Sequence, residues 1–196
     1  GGALLARRAA RGKEDPGRMG ERLGRAGAPR PAGRLVWLHG ASVGETLSAL
    51  PLVAALRARA PGLGILVTGG TVTAARRLAA LLPAGAVHQY APLDTRAAVV
   101  RFLDHWRPDL ALWIESELWP RMVVETAARG TPMMLVNARL SEASARGWAR
   151  LPGMARALLS RFARIVTQDG ETARRLRALG ADPARVAEGG NLKVAA

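Results

Sequence analysis

The chain has 196 residues, 49% of them hydrophobic, which suffices for one substantial core, and it carries a formal charge of +14 with no cysteine. Without thiols a disulfide framework and thiolate metal ligation are excluded; with His39, His88 and His105 as the only imidazoles, no metal centre is expected, and a reducing, cytoplasmic setting is. No run of about 18 consecutive apolar residues occurs, so no membrane-spanning helix is expected.

Nearly all the positive charge is arginine, since Lys13 and Lys193 are the only lysines. A solvated Arg-rich surface and a basic patch for an anionic partner explain that excess equally well. Residues 1–33 form a basic lead punctuated by Gly and Pro, with Arg7, Arg8, Arg11, Lys13, Arg18, Arg22, Arg25 and Arg30 and few apolar residues beyond Leu4 and Leu5. It should carry little core, and it reads either as a juxtamembrane segment beside anionic lipid or as a disordered arm.

From Arg34 short apolar runs alternate with longer stretches of helical period, the pattern of βαβ units. Strands are predicted at Leu35–His39, Ile65–Thr68, Val87–Tyr90, Leu110–Ile114, Met133–Val136 and Ile165–Thr167, near-continuous apolar segments of the kind buried on both faces of a parallel sheet. Helices are predicted over Glu45–Ala60, Val72–Leu82, Thr95–Trp106, Trp119–Arg129, Met154–Phe162 and Glu171–Leu179. In the third, Val99, Phe102, Leu103 and Trp106 share one face, Asp94 is placed to cap the start and Pro108 stops the run. Gly130 and Gly180 stand where helix C-caps belong. The fold class is therefore α/β, a Rossmann-like doubly wound parallel sheet spanning residues 34–190, with 191–196 beginning a junction.

In such sheets ligands bind beyond the carboxyl ends of the strands, so the loops there are the places to search. The first, His39-Gly40-Ala41-Ser42-Val43-Gly44-Glu45, lacks the G-x-G-x-x-G dinucleotide spacing and the P-loop pattern. Ser42-x-x-Glu45 reads as a capping box; equally, Glu45 at a strand-to-helix turn is a candidate general base for a substrate hydroxyl. Thr68-Gly69-Gly70-Thr71 offers hydroxyls and N–H groups suited to an anion, or simple capping by Thr71. Glu115-Ser116-Glu117-Leu118-Trp119-Pro120 sets two carboxylates and an indole at the same edge, Glu115 directly ending an apolar run. Asn137-Ala138-Arg139-Leu140-Ser141 supplies an amide, a guanidinium and a hydroxyl able to hold phosphate or sugar, although Arg139 can equally pair with Glu115 or Glu117. Arg146, Trp148 and Arg150 read either as an aromatic-basic surface or, equally well, as an amphipathic helix with ordinary surface arginines, and no catalytic role falls to them.

Four motifs occur in order between His39 and Lys193, H-x-A-S-x-G-E, E-S-E-L-W-P, N-A-R-L-S and G-N-L-K, and the match they belong to, which includes Gln89–Asp94 and His105–Asp109, covers essentially residues 14–193. This set resembles the Kdo (3-deoxy-D-manno-octulosonic acid) transferase family. The resemblance implies the amino-terminal, acceptor-side half of a GT-B glycosyltransferase that moves Kdo from CMP-Kdo to the lipid A precursor, lipid IV-A, by an inverting reaction without metal or redox cofactor. It makes Glu45 the proton acceptor, gives Glu115 and Lys193 the role of stabilising the transition state, and places Ser42, Gly44, Glu117 and Arg139 at the acceptor.

The implied partners are a phosphorylated lipid and an anionic membrane surface, at the cytoplasmic face of the bacterial inner membrane, with no nucleic acid. The start at Gly1 and the uncapped end at Ala196 read as those of a piece, with a hydrophobic anchor expected before it and the CMP-binding carboxy-terminal domain after it. On that reading the chain alone should not catalyse transfer. Two rivals stand beside it: a basic nucleic-acid-binding module, motivated by a pI near 11.8 but poor in stacking aromatics, and a GT-B enzyme with another nucleotide sugar.

Overall fold

A computed structural model describes residues 2–115 and 118–192 and contains a seven-stranded sheet in which every neighbouring pair is parallel. The strands are β1 (Leu35–His39), β2 (Gly64–Gly69), β3 (Ala86–Tyr90), β4 (Leu110–Ile114), β5 (Met133–Ala138), β6 (Arg164–Thr167) and β7 (Val186–Glu188), in the order β3-β2-β1-β4-β5-β6-β7. The direction of winding reverses between β1 and β4, where His39 lies in register with Trp113. The doubly wound class expected from the sequence is the one found, and the six predicted strands lie where they were placed, with shifts of at most a few residues. β7 was not foreseen: it has three residues and only Val186 is both apolar and buried.

The strands read as continuous apolar runs because both faces are covered. Leu35, Trp37, Ala111, Trp113, Met133 and Leu135 face one cluster. It also holds side chains of α6 (Arg96–Trp106), α7 (Pro120–Ala128), α9 (Pro152–Leu159) and α10 (Gly170–Ala178). Val36, Leu38, Ile65, Val67, Leu112 and Ile114 face a second cluster. There they meet Val53 of α4 (Leu50–Arg59) and Leu78 of α5 (Val72–Leu81). The period of two along each strand thus divides one apolar run between two cores. In the first, Trp37 packs against Phe102 and Trp113 with ring centroids 4.9 and 5.0 Å apart.

Two helix expectations are corrected, and one helix is added to the predicted set. The segment predicted as one helix over Glu45–Ala60 is two, α3 (Val43–Ser48) and α4, broken at Ala49, because Pro51 has no N–H and its ring would clash with the carbonyl of Leu47. α8 (Glu142–Ala149) lies where surface arginines on an amphipathic helix were one account, and Trp148 turns in against the larger core. Asp94 does not cap α6, whose N-cap is Thr95 and has no side-chain acceptor. Its carboxylate instead takes the N–H groups of Arg121 (3.1 Å) and Met122 (2.7 Å). α7 needs it, because Trp119 at its N-cap makes no side-chain cap and those donors would otherwise lack an acceptor. Gly130 and Gly180 do stand just past helix ends with φ of 71° and 96°, the left-handed backbone that a C-cap demands.

The basic lead is no disordered arm over its described residues. It forms α1 (Gly2–Ala10), a 3₁₀ turn at Pro16–Arg18 and the short α2 (Met19–Arg22), and it seals the outer edge of β3. Glu21 accepts the Tyr90 N–H at 2.7 Å, and Arg18 donates to the His88 carbonyl at 3.0 Å. These are the ladder positions that a further strand would have used. Among the described side chains of this segment Leu5 is the one buried hydrophobic, with Met19 and Ala28 packed partly buried against the apolar clusters, but Glu14, Glu21 and Arg22 are each 5% exposed. Glu14 sits between Arg8 and Arg22, the Arg22 Nε 3.3 Å from its carboxylate, and the Arg22 guanidinium also donates to the Ala91 carbonyl. No helix among the described residues is long and apolar enough to cross a membrane.

Candidate active site at the switch point

The site is built from backbone before side chains enter. Gly40 donates to the Thr68 carbonyl (3.1 Å) and Gly70 to the Ala41 carbonyl (3.0 Å), so the loops after β1 and β2 are bonded to each other. A Cβ on Gly70 would stand 2.7 Å from the Ala41 oxygen, which is why that close approach requires glycine.

α3 then starts with a complete capping box. The Ser42 hydroxyl accepts the Glu45 N–H at 3.2 Å, and Glu45 Oε2 accepts from Ala41 N (2.6 Å) and Ser42 N (3.3 Å). The capping reading of the sequence is therefore correct as structure. Oε1 of the half-buried Glu45 makes no hydrogen bond among the described residues. The carboxylate is anchored by one oxygen and offers the other. Ser42 and Gly44 are exposed at the same turn.

Beneath the turn lies His39, fully buried. Its Nδ1 is 2.9 Å from the Thr68 hydroxyl oxygen, which also accepts from Trp37 Nε1 at 2.8 Å. Burial lowers the imidazole to about 3, and the positive charge of Arg22 acts in the same direction. His39 is thus a neutral ring at physiological pH, standing edge-on to Trp119 with centroids 5.3 Å apart. It joins the end of β1 to the loop after β4. In sequence His39 is part of the H-x-A-S-x-G-E motif with no role of its own assigned; a histidine ending an apolar strand was the available signal.

Glu115 and Asn137 occupy matching places on adjacent strands. Ile114 pairs with Val136, the Glu115 N–H continues the ladder to the Val136 carbonyl at 3.0 Å, and Glu115 and Asn137 both have left-handed backbone, with φ of 62° and 55°. Left-handed backbone outside glycine is uncommon and concentrates at functional sites. The half-buried Glu115 and the exposed Arg139 line one small cleft with Leu118, Ala138, Leu140 and Leu176, so the structure brings that expected pair into one place. Glu117 and Lys193, the other expected site residues, lie outside the described residues. Leu192, just before Lys193 in sequence, donates its N–H to Asn137 Oδ1 at 3.1 Å. Among the described residues no group of three or more His, Cys, Asp or Glu side chains is placed to hold a metal ion.

A doubly wound sheet with polar loops gathered at its switch point defines a ligand-binding α/β domain. Solved structures share that fold. The UDP-GlcNAc 2-epimerase of Neisseria meningitidis bound to UDP-GlcNAc superposes with a TM-score of 0.56 at 11% identity, over 82% of this chain and 47% of that one. Anabaena HepE in complex with UDP-glucose gives 0.59 at 12% identity, over 81% and 44%.

Sequence similarity narrows the class to one family. Residues 17–196 match the family described as 3-deoxy-D-manno-octulosonic-acid transferase (kdotransferase), and the chain belongs to it. It is 37% identical over 185 residues to a probable mitochondrial 3-deoxy-D-manno-octulosonic acid transferase of Arabidopsis thaliana, covering 93% of this chain and 41% of that protein. To the transferases of that name from Rickettsia felis and Haemophilus influenzae it is 39% and 34% identical, over 74% and 90% of this chain. It spans 31% and 42% of their lengths.

Proposed function

We propose that the chain is the acceptor-side part of an enzyme that transfers Kdo from CMP-Kdo to a phosphorylated lipid A precursor, lipid IV-A, with inversion. The observation that carries the reading is Glu45, whose Oε2 is fixed by two N–H groups at the switch point while Oε1 remains available. An acceptor hydroxyl attacks the anomeric carbon of Kdo. The new C–O bond forms as the bond to the CMP phosphate breaks, the electron pair leaves with CMP, and the hydroxyl proton passes to Glu45 Oε1. Because the capping box sets the carboxylate in advance, little reorganisation accompanies the reaction.

Glu115 and Lys193 stabilise charge that develops at the reacting centre, and Ser42, Gly44, Glu117 and Arg139 contact the acceptor. The donor nucleotide is held by a second domain outside this chain, which therefore does not turn over alone. The anionic acceptor lies at the cytoplasmic face of the inner membrane, where an Arg-rich surface is attracted to the same lipid. The test is Kdo transfer from CMP-Kdo to lipid IV-A by the complete protein carrying this chain, beside its Glu45→Gln variant. Transfer that falls at least about 100-fold in the variant, with lipid binding retained, supports the reading. A complete, folded protein that binds the lipid and transfers nothing overturns it.

A further inference from the structure

We infer that the buried side-chain bond between His39 and Thr68 positions Glu45 for proton transfer: it braces the two strand ends from which the turn carrying Glu45 is hung. The inference rests on the transferase reading above.

The turn depends on two strands at once. The Ala41 N–H donates to Glu45 Oε2 at 2.6 Å, and the Ala41 carbonyl accepts the Gly70 N–H at 3.0 Å, so one residue ties the carboxylate to the loop after β2. His39 pairs with Thr68 in register, and Ala41 and Gly70 each lie two residues beyond that pair. No side chain cushions the link. A Cβ on Gly40 would stand 3.0 Å from the Cβ of Glu45 and 3.1 Å from Thr46 N, so the backbone leaving His39 runs directly against the first turn of α3. In packing this close, a shift of the strand ends is passed on to the carboxylate rather than absorbed.

The pair that sets those strand ends is polar and fully buried. Thr68 Oγ1 accepts from Trp37 Nε1 at 2.8 Å, and its other bond among the described residues is to His39 Nδ1 at 2.9 Å. The hydroxyl proton therefore goes to Nδ1, and the imidazole proton sits on Nε2. Nε2 has no hydrogen-bond partner, so Thr68 is the single polar anchor of the ring. Apolar side chains of the same shape would fill this space at little cost in stability. What the hydrogen bond adds is a fixed distance and direction between β1 and β2, directly beneath the turn.

The experiment uses the complete protein carrying this chain, with Thr68→Val, which keeps the shape and removes the hydroxyl, and Thr68→Ser, which keeps the hydroxyl. Amide exchange at Ala41 is expected to speed up about tenfold or more in the valine variant and to stay protected in the serine variant. The Met122 amide, held by Asp94 on another helix, is the internal control. In Kdo transfer, Thr68→Val is expected to lower kcat about 10- to 100-fold with KM for CMP-Kdo within about threefold, and Thr68→Ser to stay within about threefold of wild type. Added to Glu45→Gln, Thr68→Val should cost less than about a further threefold, because the brace acts through that carboxylate. Unchanged exchange at Ala41, equal losses in the valine and serine variants, or equal losses of kcat with and without the Glu45 carboxylate overturns the inference. If the wild-type protein transfers no Kdo, the transferase reading fails, and exchange at Ala41 alone decides whether the brace holds the turn.

Discussion

His39 Nδ1 and Thr68 Oγ1 lie 2.9 Å apart in a fully buried setting that keeps the imidazole neutral. With the folded-state value lowered from 6.5 to about 3, the unfolded chain binds one proton more than the native protein throughout that interval. Stability is therefore complete above about pH 6.5 and falls as the pH drops toward 3, by up to about 1.4 kcal/mol per unit from this residue. His88, lowered by burial and by Arg18 to about 4, adds a loss of the same sign over a shorter window. Urea unfolding from pH 7.5 to 4 should show this decline, and His39→Gln should flatten it. A slope unchanged in that variant would assign the effect to other groups.

Glu45 has a structural and a chemical task that substitution can separate. Glutamine keeps a carbonyl oxygen for the N–H groups of Ala41 and Ser42, so Glu45→Gln should change stability by less than about 0.5 kcal/mol while abolishing proton transfer. Ser42→Ala, by contrast, removes the cap on Glu45 N and should cost about 1 kcal/mol, read from thermal unfolding. A Glu45→Gln protein that unfolds as readily as the Ser42 variant would make Glu45 chiefly a structural residue.

Arg22 and Glu14 form a buried pair in the lead. Arg22→Met should destabilise by about 3 kcal/mol, the lower end of the range for stranding a buried charge, because Arg8 still reaches Glu14. Glu14→Leu combined with Arg22→Met should return to within about 1 kcal/mol of wild type, since the one charge that then loses its partner, Arg8, is partly exposed and can be solvated. Denaturant midpoints of the single and double variants give the comparison. Equal loss in both would place the cost on the Ala91 contact rather than on the charge.

Asp94 links helices that are distant in sequence. Asp94→Ala should cost about 1 kcal/mol by uncapping α7, while Thr95→Ala should fall within about 0.5 kcal/mol of wild type, because its hydroxyl caps nothing. The reverse order in calorimetry would restore the cap to α6.

Local chemistry was legible in the chain and distant chemistry was not. Leu35–His39 could be read as a strand because burial on both faces makes its pattern continuous, and the Ser42–Glu45 box because its partners are three residues apart. Pro51 was a visible break signal outweighed by apolar content. Asp94 stands next to α6 in sequence but meets α7 in space, and nothing local tells the two apart. Glu14 and Arg22 carry the residue types of a solvated surface, and only the fold shows that they neutralise each other inside. In the site, the carboxylates were visible as oddities at strand ends. The bond from Leu192 to Asn137 and the contact of His39 with Trp119 join segments that only the sheet brings together.

Arg18 and Glu21 give the lead a task that hydropathy conceals. A domain trimmed to begin at Arg34, where the regular pattern starts, would leave the outer rim of β3 with the His88 carbonyl and Tyr90 N–H bare. Such a rim is a template for another molecule's strand, so the shortened protein would self-associate in proportion to its concentration. The arginine-rich beginning is the selvage of the sheet, and it keeps the fabric from joining to its neighbours.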